Sequence, residues 1–347
     1  MRLVATARAE RITSGEAGAL VFDPADRELR RSPLSVRELW ARVPLASALD
    51  LTFGRFELGW GKTDGYSPAD AFLPRDLSDP YGDEKLPVWG ARLVGQRGPI
   101  RFDVLGTLTT TPWRLPVLEG RNAPVAVPGV HLVDGRSDPP RTGFGALRAL
   151  STFGDWDVGA WGRFGVRPAP LLAFRLDQAT LGPEGIAVPV DRRYAREDGV
   201  GVEVSKVTGA FVLRAEGAAL FSKDPELGDA LIWTLGAERA FGDGTLLVTF
   251  AANARGTNVE PILLLDRAFL PGLIVAWSQS EPWGAWRLVL TQALRHGDGL
   301  AKGEVSYAVT DSCRATLGAD VPFGSRYGPF GSRPETRRAH LAVRQSW

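Results

Sequence analysis

The feature that most constrains this chain is an apolar/polar alternation of period two that recurs along most of its 347 residues. Successive residues of a strand point to opposite faces, so such runs set two different solvents on the two sides of a sheet. In 156–167, Trp156, Val158, Ala160, Phe164 and Val166 share one face, against Asp157, Trp161, Arg163 and Arg167. In 209–221, Phe211, Leu213, Ala215, Ala219 and Phe221 oppose Arg214 and Glu216. In 100–109, Ile100, Phe102, Val104 and Leu108 oppose Arg101, Asp103, Thr107 and Thr109, and in 313–322 Ala315, Leu317, Ala319 and Val321 oppose Arg314, Thr316 and Asp320. Weaker alternation marks 34–43, 87–97, 144–153, 199–206, 230–240, 245–255, 272–280, 285–295 and 303–310. The chain ends the same way, with Ala339, Leu341, Val343, Gln345 and Trp347 opposing His340, Arg344 and Ser346. Segment 49–60 changes phase, since Leu49, Leu51 and Phe53 share one face while Phe56, Leu58 and Trp60 share the other; a bulge near Gly54-Arg55 would reconcile them.

Strands of this length fit the roughly 9 to 11 residues that a tilted membrane-spanning strand needs. The mean hydropathy is only -0.07, because alternation hides the apolar residues. No run approaches the roughly 18 to 20 apolar residues of a membrane helix, which excludes a helical membrane protein and leaves a barrel open. The 40 Gly and 25 Pro suit turns. Connections alternate in length. Short ones fall near 44–48, 98–99, 154–155, 207–208, 241–244, 281–283 and 311–312; long ones occupy 13–33, 61–86, 110–142, 168–198, 222–229, 256–271, 296–302 and 323–337. The expected fold is therefore an all-β, transmembrane, antiparallel up-and-down β-barrel of about 16 strands, a single domain over 1–347 with short turns at one end and long loops at the other. A soluble sandwich or propeller accounts for the turns but not for the rule of connection lengths. No secretory signal is seen at Met1, so residue 1 is expected near a mature N-terminus.

With 41 Lys+Arg against 40 Asp+Glu the net charge is +1, so no global field favours nucleic acid. One cysteine, Cys313, excludes a disulfide framework, and no metal or other cofactor is expected. Gly61-Lys62-Thr63 looks like the end of a phosphate-binding loop, but the leading glycine would have to stand at Phe56.

The run Gly54-Arg55, Trp60-Gly61-Lys62-Thr63-Asp64-Gly65, Ser67-Pro68-Ala69-Asp70 and Pro74-Arg75-Asp76 resembles a family of porin-like outer-membrane proteins of Gram-negative bacteria. Arg193-Tyr194 with Asp198-Gly199-Val200, Arg214-Ala215-Glu216, Tyr307 with Thr310-Asp311, Leu317-Gly318-Ala319-Asp320 and Gly328-Pro329-Phe330-Gly331 look similar to the same family. The likeness spans roughly 34–347 and departs from the family's commoner terminal Phe by ending in Trp347. It implies the cell outer membrane as location, with lipid and lipopolysaccharide outside, the barrel-assembly machinery reading the final strand, and a channel for small hydrophilic solutes.

Charges cannot face hydrocarbon, where Arg or Lys at mid-depth costs about 2 to 4 kcal/mol. The pore-lining set is then Arg92, Arg101, Asp103, Asp157, Arg163, Arg167, Glu203, Arg214, Glu216, Glu238, Arg287, Glu304, Asp320 and Arg344. They either line water or brace the wall as Arg–carboxylate pairs. The long loop 61–86, with Lys62, Asp64, Asp70, Arg75 and Asp76, is the candidate constriction if it folds inward, and a solvated surface loop if it does not. Pro261-Ile262-Leu263-Leu264-Leu265 with Phe269-Leu270-Pro271 suits an apolar cap under the loops. Trp40, Trp60, Trp89, Trp113, Trp156, Trp233, Trp283, Trp286 and Trp347 lie near strand ends, as an interfacial girdle would. Two other readings stay open: an export or surface-assembly barrel for polysaccharide, and an outer-membrane hydrolase using one of His131, His296 and His340.

Overall fold

The computed structural model describes residues 1–9, 32–79, 81–82, 84–118, 129–183, 185–256, 267–332 and 336–345. Within them the alternating runs form one sixteen-stranded sheet, each strand pairing antiparallel with the next in line. Numbering all strands in chain order, the wall is β1 (Arg2–Ala9), β2 (Leu34–Ala46), β3 (Leu49–Phe56), β6 (Val88–Arg97), β7 (Ile100–Thr107), β9 (Phe144–Phe153), β10 (Trp156–Gly165) and β14 (Asp198–Thr208). It continues through β15 (Phe211–Phe221), β16 (Ala230–Phe241), β17 (Gly244–Arg255), β18 (Gly272–Glu281), β19 (Gly284–Ala293), β20 (Asp298–Thr310), β21 (Cys313–Phe323) and β22 (Arg338–Gln345). The intervening short strands β4 (Arg75–Asp76), β5 (Glu84–Lys85), β8 (Val130–Ser137), β11 (Leu171–Phe174), β12 (Thr180–Gly182) and β13 (Gly185–Arg193) belong to loops. Trp347 and the segment 261–265 lie outside the described residues, and with them the contact expected of the terminal aromatic.

Seven two-residue turns, at 47–48, 98–99, 154–155, 209–210, 242–243, 282–283 and 311–312, gather at one end of the sheet. Four of them open on Gly98, Gly154, Gly209 or Gly242 with φ between 55 and 59, the left-handed backbone that tight hairpins require. The other end carries the longer connections, with one correction: the loop expected at 296–302 shrinks to 294–297. Strand β20 starts early because Leu300 is buried on the inner face and Gly299 pairs with Phe323. The bulge expected at Gly54-Arg55 is also absent, for β3 pairs in unbroken register with β2 and with β6 through both residues. The phase change has another cause. Gly54 takes φ 121; beyond it Phe56, the last residue of β3, is buried on the inner side, and Leu58 and Trp60 leave the wall, all three joining an interior core.

The faces are inverted relative to a soluble sheet. Outward side chains are apolar and bare, with Val202 on β14, Leu213 on β15, Leu317 on β21 and Leu341 and Val343 on β22 all exposed, the last two by 71% and 68%. Inward ones include the buried polar residues Thr52, Asp103, Glu203, Glu216, Thr234, Thr249 and Asp320. A continuous bare apolar belt is stable only in hydrocarbon, so the sheet spans a membrane with its strands. No helix is long and apolar enough to cross one.

Aromatic residues collect on the belt at the short-turn end. Phe241, Trp277 and Trp286 form a chain with centroids 5.8 and 6.4 Å apart, and Trp283 stacks on Tyr307 at 6.4 Å. Lys206 lies 4.6 Å over Trp156, and Arg239 lies over both Phe211 and Phe241. Rings and cations at one depth are what a headgroup interface favours. Trp40, Trp60 and Trp113 depart from the expected girdle: Trp40 packs against the interior core, Trp60 is buried within it, and Trp113 is buried in a second core among the loops.

Candidate functional site: the inner loop and the lumen

The loop between β3 and β6 folds inward. Its apolar residues Leu58, Trp60, Tyr66, Ala69, Phe72 and Leu73 pack on inward residues of the wall: Leu105, Phe144, Ala146, Trp161, Ala218, Leu220, Ile232, Ala251 and Ile274. Phe72 meets Trp60, Phe144 and Trp161 with centroids 5.6 to 5.9 Å apart. Aromatic payloads of this size hold the loop against the wall rather than in water. Of the expected apolar cap, the described part also turns inward, with Leu270 buried in this core and Phe269 edge-on to Tyr66 at 5.2 Å.

A wall carboxylate fastens the tip. Glu216, 3% exposed, accepts hydrogen bonds from the backbone N–H groups of Lys62 (2.7 Å), Thr63 (2.6 Å) and Ala69 (3.3 Å). The hydroxyls of Thr63 (2.8 Å) and Ser67 (2.5 Å) donate to it as well. Successive N–H groups turned to one point make an anion nest. The run that looks like the end of a phosphate loop thus cradles the protein's own carboxylate. Gly65, with φ 86, lies against Ile274, whose Cδ1 would be 2.7 Å from any added Cβ. Asp64 accepts from the Thr249 hydroxyl at its backbone carbonyl, 3.0 Å, and its carboxylate stands 3.6 Å from Arg214.

From there the loop crosses the interior. Asp70 accepts from the backbone N–H groups of Trp60 (2.7 Å) and Gly61 (3.0 Å), and its other oxygen pairs with Lys85 at 2.6 Å. The β4–β5 hairpin then reaches both ends of the sheet. Glu84 pairs with Arg8 of β1 (2.8 Å) and Arg37 of β2 (2.6 Å), while Asp79 pairs with Arg338 of β22 at 2.9 Å. The Lys302 ammonium of β20 donates to the Tyr81 carbonyl at 2.7 Å. Through Glu84 and Asp79 one hairpin is bonded to the first and to the last strand, so the sheet curls around its own loop.

The expected charged residues separate into covered and open groups. Asp103 is covered, held by Arg92 (2.5 Å) and by the Trp60 indole N–H (3.1 Å); Arg92 itself is half-buried. Glu203 is covered by Arg148 through two hydrogen bonds of 2.8 Å. Asp320 is covered by Arg338 at 2.6 Å. Arg163 and Arg167 do not line open lumen either. Arg163 lies over the Phe72 and Phe144 rings with Glu197 3.8 Å away, and Arg167 is buried just beyond the end of β10. Within the loop, Asp76 is 1% exposed and takes the Ser78 N–H and hydroxyl with Arg114 at 3.6 Å, Asp70 is internal, and Arg75 is paired in the hairpin. These residues brace because the loop's apolar core excludes water from them. The more open group is Asp64 and Asp157 with the half-buried Lys62, Arg214 and Glu238 on one side, and Arg101, Arg287, Glu304 and Arg344 at or near the short-turn mouth. Lys62 stands 3.8 Å from Asp157, and Arg214 is 2.8 Å from Glu238.

Residues missed by pattern reading are partners that complete pairs. Arg148, alternate to the outward Leu147, was readable from phase alone. Arg37, Lys302 and Arg338 were not, since their meaning depends on the loop they hold. Outside the wall, β11, β12 and β13 with β8 parallel to β13 form a small sheet over a second core of Trp113, Leu115, Leu118, Leu132, Leu172, Val188 and Val190. The Trp113 indole donates to the Leu73 carbonyl at 2.9 Å, which joins this cap to the inner loop.

No protein-family model matches the chain, and no curated protein does. Among solved structures it is similar to a loop-deletion mutant of OmpT, an outer membrane protein of Vibrio cholerae, with 11% identity over 90% of this chain and 80% of that one and a TM-score of 0.44. It is also similar to a mutant of the Rh. blastica porin, with 9% identity over 93% and 94% of the two chains and a TM-score of 0.45.

Proposed function

We propose that this protein is a porin-like channel of the cell outer membrane through which small hydrophilic solutes or ions diffuse. The observation that carries the reading is a wide membrane-spanning barrel with an inner loop bonded across it. A barrel of about sixteen strands is too wide to be filled by its own wall side chains. Loop 57–87 narrows it, and its tip presents Lys62 and Asp64 toward Asp157, Arg214 and Glu238. Those residues, with Arg101, Arg287, Glu304 and Arg344, are the proposed pore lining; Asp70, Arg75 and Asp76 hold the loop's shape. The histidines favour no hydrolase reading. His131 lies in the external sheet, His296 in the turn before β20, and His340 between Glu304 and Asp320 at 3.9 and 3.8 Å.

Purified, refolded protein in a planar bilayer tests the reading. Steady single-channel steps with a defined reversal potential in a salt gradient are expected, and deleting 64–80 is expected to raise the unit conductance. A folded protein that passes no current, or a deletion that leaves conductance and selectivity unchanged, would overturn it.

A further inference from the structure

On the inner face of the last three strands, one buried carboxylate serves two cations. Asp320 of β21, 0% exposed, lies in register between Lys302 of β20 and Arg338 of β22. Arg338 donates to it at 2.6 Å, and the Lys302 ammonium stands 3.9 Å away. The same two cations hold the inner hairpin. Arg338 pairs with Asp79 at 2.9 Å and lies over the Tyr81 ring at 5.0 Å, while Lys302 donates to the Tyr81 carbonyl at 2.7 Å. The hairpin's hold on the last strands therefore runs through Asp320. A histidine joins this group from the next inward position of β22. The His340 ring lies on Gly318, where an added Cβ would come 2.3 Å from its Cε1, so a residue without a side chain is what leaves the ring room. Its Nε2 faces Glu304 of β20 at 3.9 Å and its Nδ1 faces Asp320 at 3.8 Å. A neutral imidazole has one N–H, so between two carboxylates it turns a lone pair toward one of them. Accordingly, His340 Nδ1 and Asp320 Oδ1 are buried with no hydrogen-bond partner among the described residues. The remaining charged groups around the ring are Lys302, Arg338, Asp79 and Arg287 of β19, which stands directly opposite Glu304. Arg287, Lys302 and Arg338 thus balance Glu304, Asp320 and Asp79 while the ring is neutral.

We propose that His340 is a proton-operated switch that loosens the inner hairpin from the last strands when it takes up a proton from the lumen. Histidine is the side chain whose charge ordinarily changes between about pH 5 and 8. The ring is 32% exposed, so protons in the lumen reach it. The imidazolium has an N–H for each carboxylate and takes a share of Asp320 away from Arg338 and Lys302. It also adds a positive charge to a balanced group, two residues from Arg338 on one face of β22. Around a buried carboxylate that repulsion is weakly screened. Arg338 and Lys302 then release Asp79 and the Tyr81 carbonyl. The bonds of Glu84 to Arg8 and Arg37 are not part of this group, so the hairpin is freed on one side only. An effect on current rests on the channel reading; the switch itself does not.

The test is hydrogen exchange of the full folded chain in detergent, read by mass spectrometry between about pH 8 and 5 and corrected for the intrinsic pH dependence of amide exchange. The reporter is the peptide carrying Tyr81 and Gly82, whose N–H groups donate to the Asp79 carboxylate and carbonyl, both at 3.0 Å. Its protection is expected to fall by about tenfold or more on acidification, the scale of one lost hydrogen bond to a charged group, and to recover on return to the starting pH. His340→Gln should stay protected throughout the range, and His340→Lys, a fixed cation, should stay loosened throughout it. His296→Gln should leave the transition in place. Far-ultraviolet dichroism checks that each variant keeps the wild-type sheet. A pH-independent wild type, a transition that survives in His340→Gln, or a protected His340→Lys overturns the switch. Bilayer currents separate the two readings: the exchange transition in a protein that passes no current keeps the switch and overturns the channel, whereas steady current without the transition overturns the switch alone.

Discussion

Glu216 shows how one wall residue can fix the position of a loop about 150 positions earlier in the chain. It lies opposite Glu203 across the β14–β15 ladder, two inward carboxylates where like charges repel. The conflict is resolved differently on each side: Arg148 neutralises Glu203, while loop N–H and hydroxyl groups solvate Glu216. Replacing Glu216 with Ala removes the acceptor and leaves several buried donors without a partner, at about 1 to 3 kcal/mol each before relaxation. The expected outcome is a loop that leaves the wall while the barrel persists. Protease cleavage within 61–69 should become fast in Glu216→Ala, and single-channel records should show long closures or substates absent from wild type. Glu216→Gln should fall between, because it keeps one acceptor oxygen. A variant as resistant to cleavage as wild type would show that the apolar core alone holds the loop.

The elements were legible from the chain wherever two solvents act on one strand. Phe211, Leu213 and Phe221 against Arg214 and Glu216 is a pattern that only a sheet between lipid and lumen can satisfy. It faded where a segment serves a third environment, the barrel's own interior core. Phe56, Leu58 and Trp60 look like a phase error of the wall, yet they are the first residues of the interior core. The charged candidates suffered likewise, because alternation says that Asp103 or Arg163 faces inward but not that a loop covers it. The external cap escaped altogether, since β8 pairs parallel with β13 across about 50 intervening positions and no local period encodes that. Tyr194 closes this cap just after β13, and burial pushes its hydroxyl up to about 12. Because the folded value lies above the ordinary tyrosine value of about 10, the protonated phenol's contribution is fully present below that lower value. It is lost as pH rises through about 12. Alkaline titration at the phenolate absorbance should therefore show a late step near that pH that Tyr194→Phe abolishes, together with resistance of the cap to alkaline opening. If the step survives the substitution, the late-titrating tyrosine is another one.

At the scale of the whole molecule, the same sixteen strands must satisfy hydrocarbon outside and a braced, partly wet interior inside. Adjacent residues therefore obey opposite rules, and β21 allows a direct comparison. Leu317 projects into the belt near the middle of its strand, and Thr316 beside it projects inward, 2.8 Å from the Ser306 hydroxyl. An arginine placed at Leu317 must reach an interface from mid-depth, at a cost of about 2 to 4 kcal/mol. An arginine at Thr316 stays in the lumen and loses little more than one hydrogen bond, about 1 kcal/mol. The expected order of stability in lipid vesicles is wild type, then Thr316→Arg, then Leu317→Arg, read from reversible denaturant unfolding followed by tryptophan fluorescence. In a soluble sheet with a conventional core the ranking would reverse, because Leu317 would be the tolerant surface position. Thr316→Arg adds a positive charge beside Arg314 and Arg344. It should therefore also move the reversal potential toward anions, whereas Leu317→Arg should leave selectivity alone. The two adjacent substitutions thus separate what the fold needs from its membrane face and from its lumen: one changes stability with little change in ion preference, the other the converse.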